Sequence, residues 1–323
     1  MSEPLVSVVM SVFNAERLLP EAMGGVLGQE GIEFEVVVVD DGSYDGSGEL
    51  LDRYAAGDAR VRVLHQENTG LTRALIRGCG EARGEFIARQ DVDDVSLPGR
   101  FRKQAGLLLA DPTLAMASSW VGSFGPGGEV LDEIRRTTDP DEATRGLLEE
   151  YEGVVHGSVM FRKADYEKAG GYREEFYFAQ DSDLWLRMAE IGRLAFVQEV
   201  LYMLRISEKS LSSRYARVQA RLGEISHECQ RARQEGRSET PALVEALQLR
   251  PGLIPAARID THGAGGLWFL SRSLLSRGDR RGLDYALRYL RRRPFDPKGW
   301  ASAAWGAIAA WKRAAPVFVP EKR

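Results

Sequence analysis

Two hydrophobic periods alternate over the first 120 residues. Residues 6–12 and 35–39 are near-continuous β-branched runs, the pattern of strands covered on both faces. Between them Ala15, Leu18, Leu19, Ala22 and Val26 recur at helical spacing, and a second helix follows Asp45 with Leu50, Leu51, Tyr54 and Ala55 on its apolar face. Residues 61–64 predict a third strand. Leu71, Leu75, Cys79 and Ala82 mark the next helix, residues 86–88 a fourth strand, and Leu97, Phe101, Ala105 and Leu108 the helix after it. Such alternation predicts an α/β fold with a mostly parallel, Rossmann-like sheet and right-handed crossovers.

From 114 to 204 the order is more mixed. Strands are expected over 114–120, 154–161 and 195–200, helices near Ala164 and over 183–191, and a loop tip at Gly125-Pro126-Gly127-Gly128. Beyond 213 the pattern is helical, broken at Pro241, Pro251, Pro255, Pro294 and Pro297, and 264–311 faintly resembles a tetratricopeptide-type hairpin. The expected organisation is a domain over 1–212, with halves at about 1–120 and 121–212, followed by a helical extension over 213–323.

Composition narrows the class. The 323 residues are 44% hydrophobic and 28% charged, an ordinary globular balance. Cys79 and Cys229 are far apart and without metal-type spacing, which points to a reducing compartment. The first residues lack the basic and apolar regions of a signal peptide, and no stretch reaches the ~18 uninterrupted apolar residues of a membrane span. A cytoplasmic protein, with a peripheral place at the inner face of the membrane as a variant, is the expectation. Residues 211–323 hold 21 Lys and Arg against 10 Asp and Glu, whereas the first 210 hold 22 against 37. That asymmetry suggests an anionic partner for the tail, although arginine-rich helices are also ordinary solvated faces.

Chemistry concentrates at strand ends. The strand at 86–88 runs into Asp91-Val92-Asp93-Asp94. Hard divalent cations such as Mg²⁺ take one or two carboxylates and complete their shell with phosphate oxygens and water. An Asp-x-Asp where an open α/β sheet places its ligands therefore suits a metal–diphosphate. Three more motifs occur in a mechanistically sensible order: residues 6–14, a strand ending at Phe13-Asn14; residues 38–47, with Asp40-Asp41-Gly42-Ser43; and residues 178–187, with Gln180-Asp181-Ser182-Asp183. The stretch 67–75, with Arg73, leads to the Asp-x-Asp. Each motif alone could be a turn or a helix cap, but four in this order make coincidence improbable.

With these residues in place, the chain resembles a family 2 glycosyltransferase of the GT-A fold over roughly residues 4–212. The resemblance implies that Phe13 packs around the nucleotide base, with Asp40 or Asp41 receiving its N–H and Arg73 a basic contact near it. It implies that Asp91 and Asp93 hold a divalent metal, Mn²⁺ or Mg²⁺, with Asp91 also reaching the ribose, and that Asp181 is the general base, with Asp183 next in line. His156 and Trp185 are candidates for the acceptor pocket. The implied partners are a nucleotide-diphosphate sugar, expected to be a UDP-sugar, and a glycan, lipid-linked or protein acceptor of surface polysaccharide synthesis, with no nucleic acid. Ser207 stands where relatives often carry a metal-side histidine, Gln180 where many carry glutamate, and Ser11 where many carry proline. His65, His227 and His262 have no partners at ligand spacing and read as incidental.

Two rivals remain. A sugar-phosphate nucleotidyltransferase should carry a Gly-rich, basic loop that residues 11–16 lack, and a non-catalytic nucleotide-sugar-binding or assembly subunit is suggested by Ser207 but opposed by Asp181 beside Asp91 and Asp93. In the tail, Trp300, Trp305 and Trp311 follow Arg291-Arg292-Arg293 in an almost wholly apolar helix. Such a segment is either a core helix, the favoured expectation, or an interfacial membrane contact.

Overall fold

The structure, a computed structural model, describes residues 4–150, 152–207, 211–254 and 264–314. Strands β1 (Val6–Val12), β2 (Phe34–Asp40), β3 (Val61–His65) and β4 (Phe86–Asp91) pair in parallel in the order β3-β2-β1-β4. Crossovers through α1 (Leu19–Leu27), α2 (Ser47–Gly57) and α3 (Leu71–Glu81) return the chain between them. The strand pleat sorts their side chains to two faces. Val8, Met10, Val36, Val38 and Phe86 pack on Leu19 and Met23 of α1 and on Phe101 and Leu108 of α4 (Arg100–Ala110). Val9, Val37 and Ile87 face Leu75 and Cys79 of α3 together with Leu184 and Trp185 from further along the chain. Both cysteines are buried free thiols, and burial pushes that of Cys79 up to about 12.

The remaining strands are β5 (Val95–Ser96), β6 (Leu114–Phe124), β7 (Val130–Ile134), β8 (Met160–Arg162) and β9 (Arg193–Arg205), and the sheet runs β3-β2-β1-β4-β8-β6-β9-β5 with β7 beside β6. β8 runs antiparallel to both β4 and β6. Helices α5 (Pro140–Glu149), α6 (Lys163–Lys168) and α7 (Gln180–Ala189) lie between these strands in the chain. The strand expected over 154–161 is mostly absent. Residues His156–Ser158 form a 3-10 turn, and only Met160–Arg162 pairs. The turn passes close to its neighbours: a Cβ on Gly157 would stand 1.8 Å from the Tyr202 hydroxyl and 2.9 Å from Asp91 Oδ2, an approach only glycine tolerates.

The described residues group into two compact units, the first within Met1–Gly122, Glu133–Arg205 and Val218–Ile254, the second within Ser123–Asp132, Ile206–Arg217 and Pro255–Arg323. The division differs from a single cut at 212. Helix α8 (Leu211–Gln234) has a non-helical residue at Tyr215, and beyond it Val218, Leu222, Ile225 and Cys229 are buried. With α9 (Thr240–Gln248), this stretch belongs to the first unit, where Arg173 pairs with Glu239 at 3.0 Å and Arg233 with Glu190 at 2.8 Å. The second unit is built on α10 (Ala264–Ser276), α11 (Arg281–Arg292) and α12 (Pro297–Ala314). Its core joins Leu131 to Leu267, Leu270, Leu274, Tyr285 and Tyr289, and Tyr285 donates to Glu129 at 3.1 Å.

Candidate active site

Strand register assembles the site. Val12 lies opposite Asp40, Asp40 opposite His65, and Ser11 opposite Asp91. The carboxyl ends of four parallel strands thus stop at one edge, the place where open α/β sheets bind ligands.

The first two loops lock together there. Asn14 sits at φ 51°, a left-handed conformation that asparagine tolerates. Its N–H donates to Ser43 Oγ at 3.0 Å, and its Oδ1 accepts from the Tyr44 N–H at 3.0 Å. Phe13, 45% exposed, meets the exposed Tyr44 edge to face at 5.9 Å. An aromatic pair left open at a strand-end rim is a stacking surface.

The paired aspartates have different work. Asp40 accepts from the Ser43 N–H at 3.1 Å and faces His65 Nδ1 at 2.9 Å. His65 Nε2 lies 3.0 Å from Asp52 Oδ1, and the two carboxylates, Asp52 first and Asp40 second, raise the His65 pKa. His65 is therefore a bridge between β2 and α2, not an incidental residue. Asp41 accepts from Gln66 Nε2 at 2.7 Å, Thr69 N at 2.9 Å, Thr69 Oγ1 at 3.2 Å and Gly70 N at 2.9 Å. A carboxylate offers about four acceptor positions, so Asp41 is filled by the loop it holds. Arg73 is half-exposed and paired with Glu174 at 2.7 Å.

The acidic cluster rests on buried cations. Arg89, fully buried, donates to the Val9 and Gln90 carbonyls, to Asp91 Oδ1 at 2.7 Å and to His156 Nε2 at 3.1 Å. Arg100, equally buried, is held by the Gln90, Ser96 and Gln104 side chains and by the carbonyls of Arg89 and Gly157. Burial lowers its pKa to about 10. Asp94 turns inward, accepting from the Arg205 N–H at 2.8 Å, and its pKa is raised by burial, then by Asp93 and Asp91. Asp93 is raised to about 6 by burial and by Asp91, and it makes no ion pair within 4 Å among the described residues. Asp91, Asp93 and Asp94 thus share one strand end with the guanidiniums of Arg89, Arg100 and Arg205.

On the other flank, His156 Nε2 lies 2.7 Å from the Tyr172 hydroxyl, and its ring meets Trp185 at 5.9 Å. Burial, then Arg89, lowers the His156 pKa, so the ring is neutral at neutral pH. Trp185 is 1% exposed and stands behind His156, away from any surface. Asp181 occupies the first turn of α7, where the helix dipole favours an anion. The residue before that helix, Ala179, holds φ 51°, a conformation costing roughly 1–2 kcal/mol in a residue with a Cβ. The charge of Asp181 is felt at both His156 and Tyr172. Asp183 is committed elsewhere, buried in an ion pair with Arg187 at 2.5 Å. Of the 204–212 stretch, Arg205 donates to the Asp93 carbonyl at 2.8 Å. Ser207 falls within the second unit, and 208–210 lie outside the described residues, as does His262.

The structure thus brings Phe13, Asp40, Asp41, Asp91 and Asp93 to one sheet edge, with His156 joined to it through Arg89. Sequence reasoning missed Arg89, Arg100, Tyr172 and Tyr202. A polar residue inside a strand was the available signal for Arg89, since a central strand admits a guanidinium only when every donor is met.

Comparison with known proteins agrees with this architecture. Residues 7–170 match the family model for Glycosyl transferase family 2. EpsE of Bacillus subtilis (strain 168), named as a glycosyltransferase, is 32% identical over 212 residues, covering 63% of this chain and 74% of EpsE. The fold is shared with the mannosyltransferase PcManGT of Pyrobaculum calidifontis in complex with GDP-Man and Mn²⁺, at TM-score 0.56 and 20% identity, over 97% of this chain and 87% of that one. It is shared also with residues 1–349 of S. aureus TarS in complex with UDP-GlcNAc, at TM-score 0.56 and 16% identity, over 95% and 91%. The chain belongs to glycosyl transferase family 2 and is a nucleotide-sugar-dependent glycosyltransferase.

Proposed function

We propose that this protein transfers a sugar from a nucleotide-diphosphate donor, a UDP-sugar, to a hydroxyl of a glycan, glycolipid or protein in surface polysaccharide synthesis, with inversion and with a divalent metal. The observation that carries the reading is the placement of Asp91 and Asp93 at the carboxyl end of β4, beside the open aromatic rim of Phe13 and Tyr44. The donor set fits a hard cation. Asp93 has no cationic partner within ion-pair distance among the described residues, and Arg89 holds only one oxygen of Asp91. No cluster of three or more His, Cys, Asp or Glu converges on a metal position among the described residues. Asp91 and Asp93 would supply the protein's carboxylates, with diphosphate and water making up the rest of the shell. When bound, the metal would offset charge on the departing diphosphate.

The chain's own residues do the rest. Phe13 gives the base a face to stack on. Asp41 shapes the 66–70 loop, and a base N–H reaches its carboxylate by replacing one of its side-chain donors, Gln66 or Thr69. Arg89 fixes the rotamer of Asp91 from beneath. Asp181 takes the proton from the acceptor hydroxyl as its oxygen attacks the anomeric carbon opposite the leaving diphosphate. One displacement of this kind inverts the anomeric configuration.

The test is UDP binding by calorimetry with and without Mn²⁺. Wild-type protein should bind more tightly with metal. Asp93→Ala should lose that metal dependence while keeping the wild-type melting temperature, because Asp93 makes no ion pair within 4 Å among the described residues. Metal dependence unchanged in the variant would remove Asp93 from the metal site.

A further inference from the structure

The second unit carries a surface its own packing does not account for. Helix α12 packs through small residues: Gly299 lies against Tyr289 and Leu290, Gly306 against Leu275 and Leu283, and Ser302 is buried between them. A Cβ on Gly299 would come within 2.7 Å of the Tyr289 ring, so the approach is close. Among the described residues of α12, the large apolar side chains point outward instead. Trp300 is 59% and Trp305 46% exposed, with Ala301 and Ala304 exposed beside them, and Phe295 in the preceding turn is 94% exposed. This reverses the usual arrangement, in which a surface helix turns its apolar stripe to the core. The core placement expected for these tryptophans does not hold for Trp300 and Trp305; the side chain of Trp311 lies outside the described residues.

The second unit is basic, although Arg277, Arg281 and Arg288 are paired with Asp132, Asp279 and Asp284. Residues 264–306 contain nine Lys and Arg against three Asp and Glu. One hollow of about 330 Å³ is lined by Trp268, Phe269, Trp305, Arg272 and Arg277, and a second of about 210 Å³ by Trp268, Arg293 and Lys298. The Arg272 guanidinium stacks over the Trp268 ring at 5.1 Å, and Lys298 lies 5.6 Å from the same ring.

We propose that this face docks on the headgroup layer of an anionic phospholipid bilayer, with Phe295, Trp300 and Trp305 at the depth of the headgroups and the arginines beside the phosphates. Amphipathic aromatic rings settle at that depth, and basic residues add attraction to anionic lipid. No helix among the described residues is long and apolar enough to cross a membrane, so the contact is peripheral. A second copy of the chain suits the face less well, because a two-fold contact would set this basic surface against itself. A nucleic acid would answer the charge and leave the outward Trp-Ala face of α12 in water. The proposal rests on the second unit alone and stands apart from the donor-site reading.

The experiment uses the full chain with vesicles of phosphatidylglycerol mixed with phosphatidylcholine, and of phosphatidylcholine alone, followed by flotation. Binding to the mixed vesicles is expected to weaken as salt is raised, with little binding to the neutral ones. Arg272→Gln and Lys298→Gln, at the hollows around Trp268, should weaken it roughly fivefold per charge. Trp300→Ala with Trp305→Ala should weaken it at least about tenfold, while UDP binding stays as in wild type. Should the double variant fail to fold, Phe295→Ala, at a nearly fully exposed position, should still reduce binding. Wild-type protein that ignores anionic vesicles at low salt overturns the proposal, as do aromatic variants that bind like wild type. A concentration-dependent dimer abolished by the tryptophan pair, without vesicle binding, would overturn it in favour of a second copy.

Discussion

At the scale of single residues, two aspartates two positions apart have opposite fates, and burial decides which. Asp181 sits in the first turn of α7, and its charge reaches His156 and Tyr172. Asp183 is 1% exposed and bound to Arg187. Asp181→Asn should therefore leave UDP binding unchanged and lower transfer by about 10²–10⁴-fold, the usual loss when a general base is removed. Asp183→Asn should act on stability instead, because breaking a buried ion pair leaves Arg187 uncompensated at a cost of about 3–5 kcal/mol. Single-turnover rates and thermal melts on both variants separate the roles. Equal loss of transfer at equal stability would return Asp183 to candidacy. The sequence named both residues and, by resemblance, put Asp181 ahead of Asp183, but it could not show that Asp183 is taken up by Arg187. It also passed over Arg89, whose donors reach Val9, Gln90, Asp91 and His156 only after β1, β4 and the 156–158 turn have come together.

At the scale of elements, the bridge from β2 through His65 to α2 ties a candidate base-binding strand end to the helix that follows it. Its pKa is raised in the folded protein from an ordinary 6.5. A raised histidine contributes stability that is fully present below the unfolded value and is lost as pH rises through the folded one. Melting temperature should thus fall between pH 6.5 and the higher folded value, and His65→Gln should flatten that segment of the curve. Because the ring is about half exposed, the effect is small and should shrink further in salt. A wild-type curve with no slope in that window would count against the bridge. The strands β1 to β4 were legible because their apolar runs are long and their crossovers regular. The two-residue β5 was not, having too few residues to show a period, nor was β7, whose run is broken by Asp132 and Glu133 and mostly exposed. The 156–158 turn was hidden because Tyr202 and Asp91, which crowd Gly157, lie on other elements.

At the scale of the molecule, the helical extension does not separate from the catalytic half at 212. Val218, Leu222 and Ile225 are buried within the first unit, and Gln230 Nε2 donates to the Leu148 carbonyl at 3.2 Å. Removing that stretch exposes side chains worth about 1.5–3 kcal/mol each, together comparable to a whole domain's stability of about 5–15 kcal/mol. A chain ended at 212 should melt far below one ended at 254. Equal melting of the two would restore the boundary read from sequence.

The sequence by itself determined the alternation of strand and helix, the family, and the strand-end aspartates. These follow from local periods and short motifs, whose meaning depends on neighbours in the chain. Only the tertiary structure decided that Asp41 is filled by the 66–70 loop, that Trp185 stands behind His156, and that Arg89 and Arg100 lie beneath the acidic cluster. It also turned Trp300 and Trp305 outward, because among the described side chains of α12 it is Gly299, Ser302 and Gly306 that sit at its close approach to α10 and α11. In each case the deciding partner lies on another element, so what a side chain touches was set by packing, which no local period records.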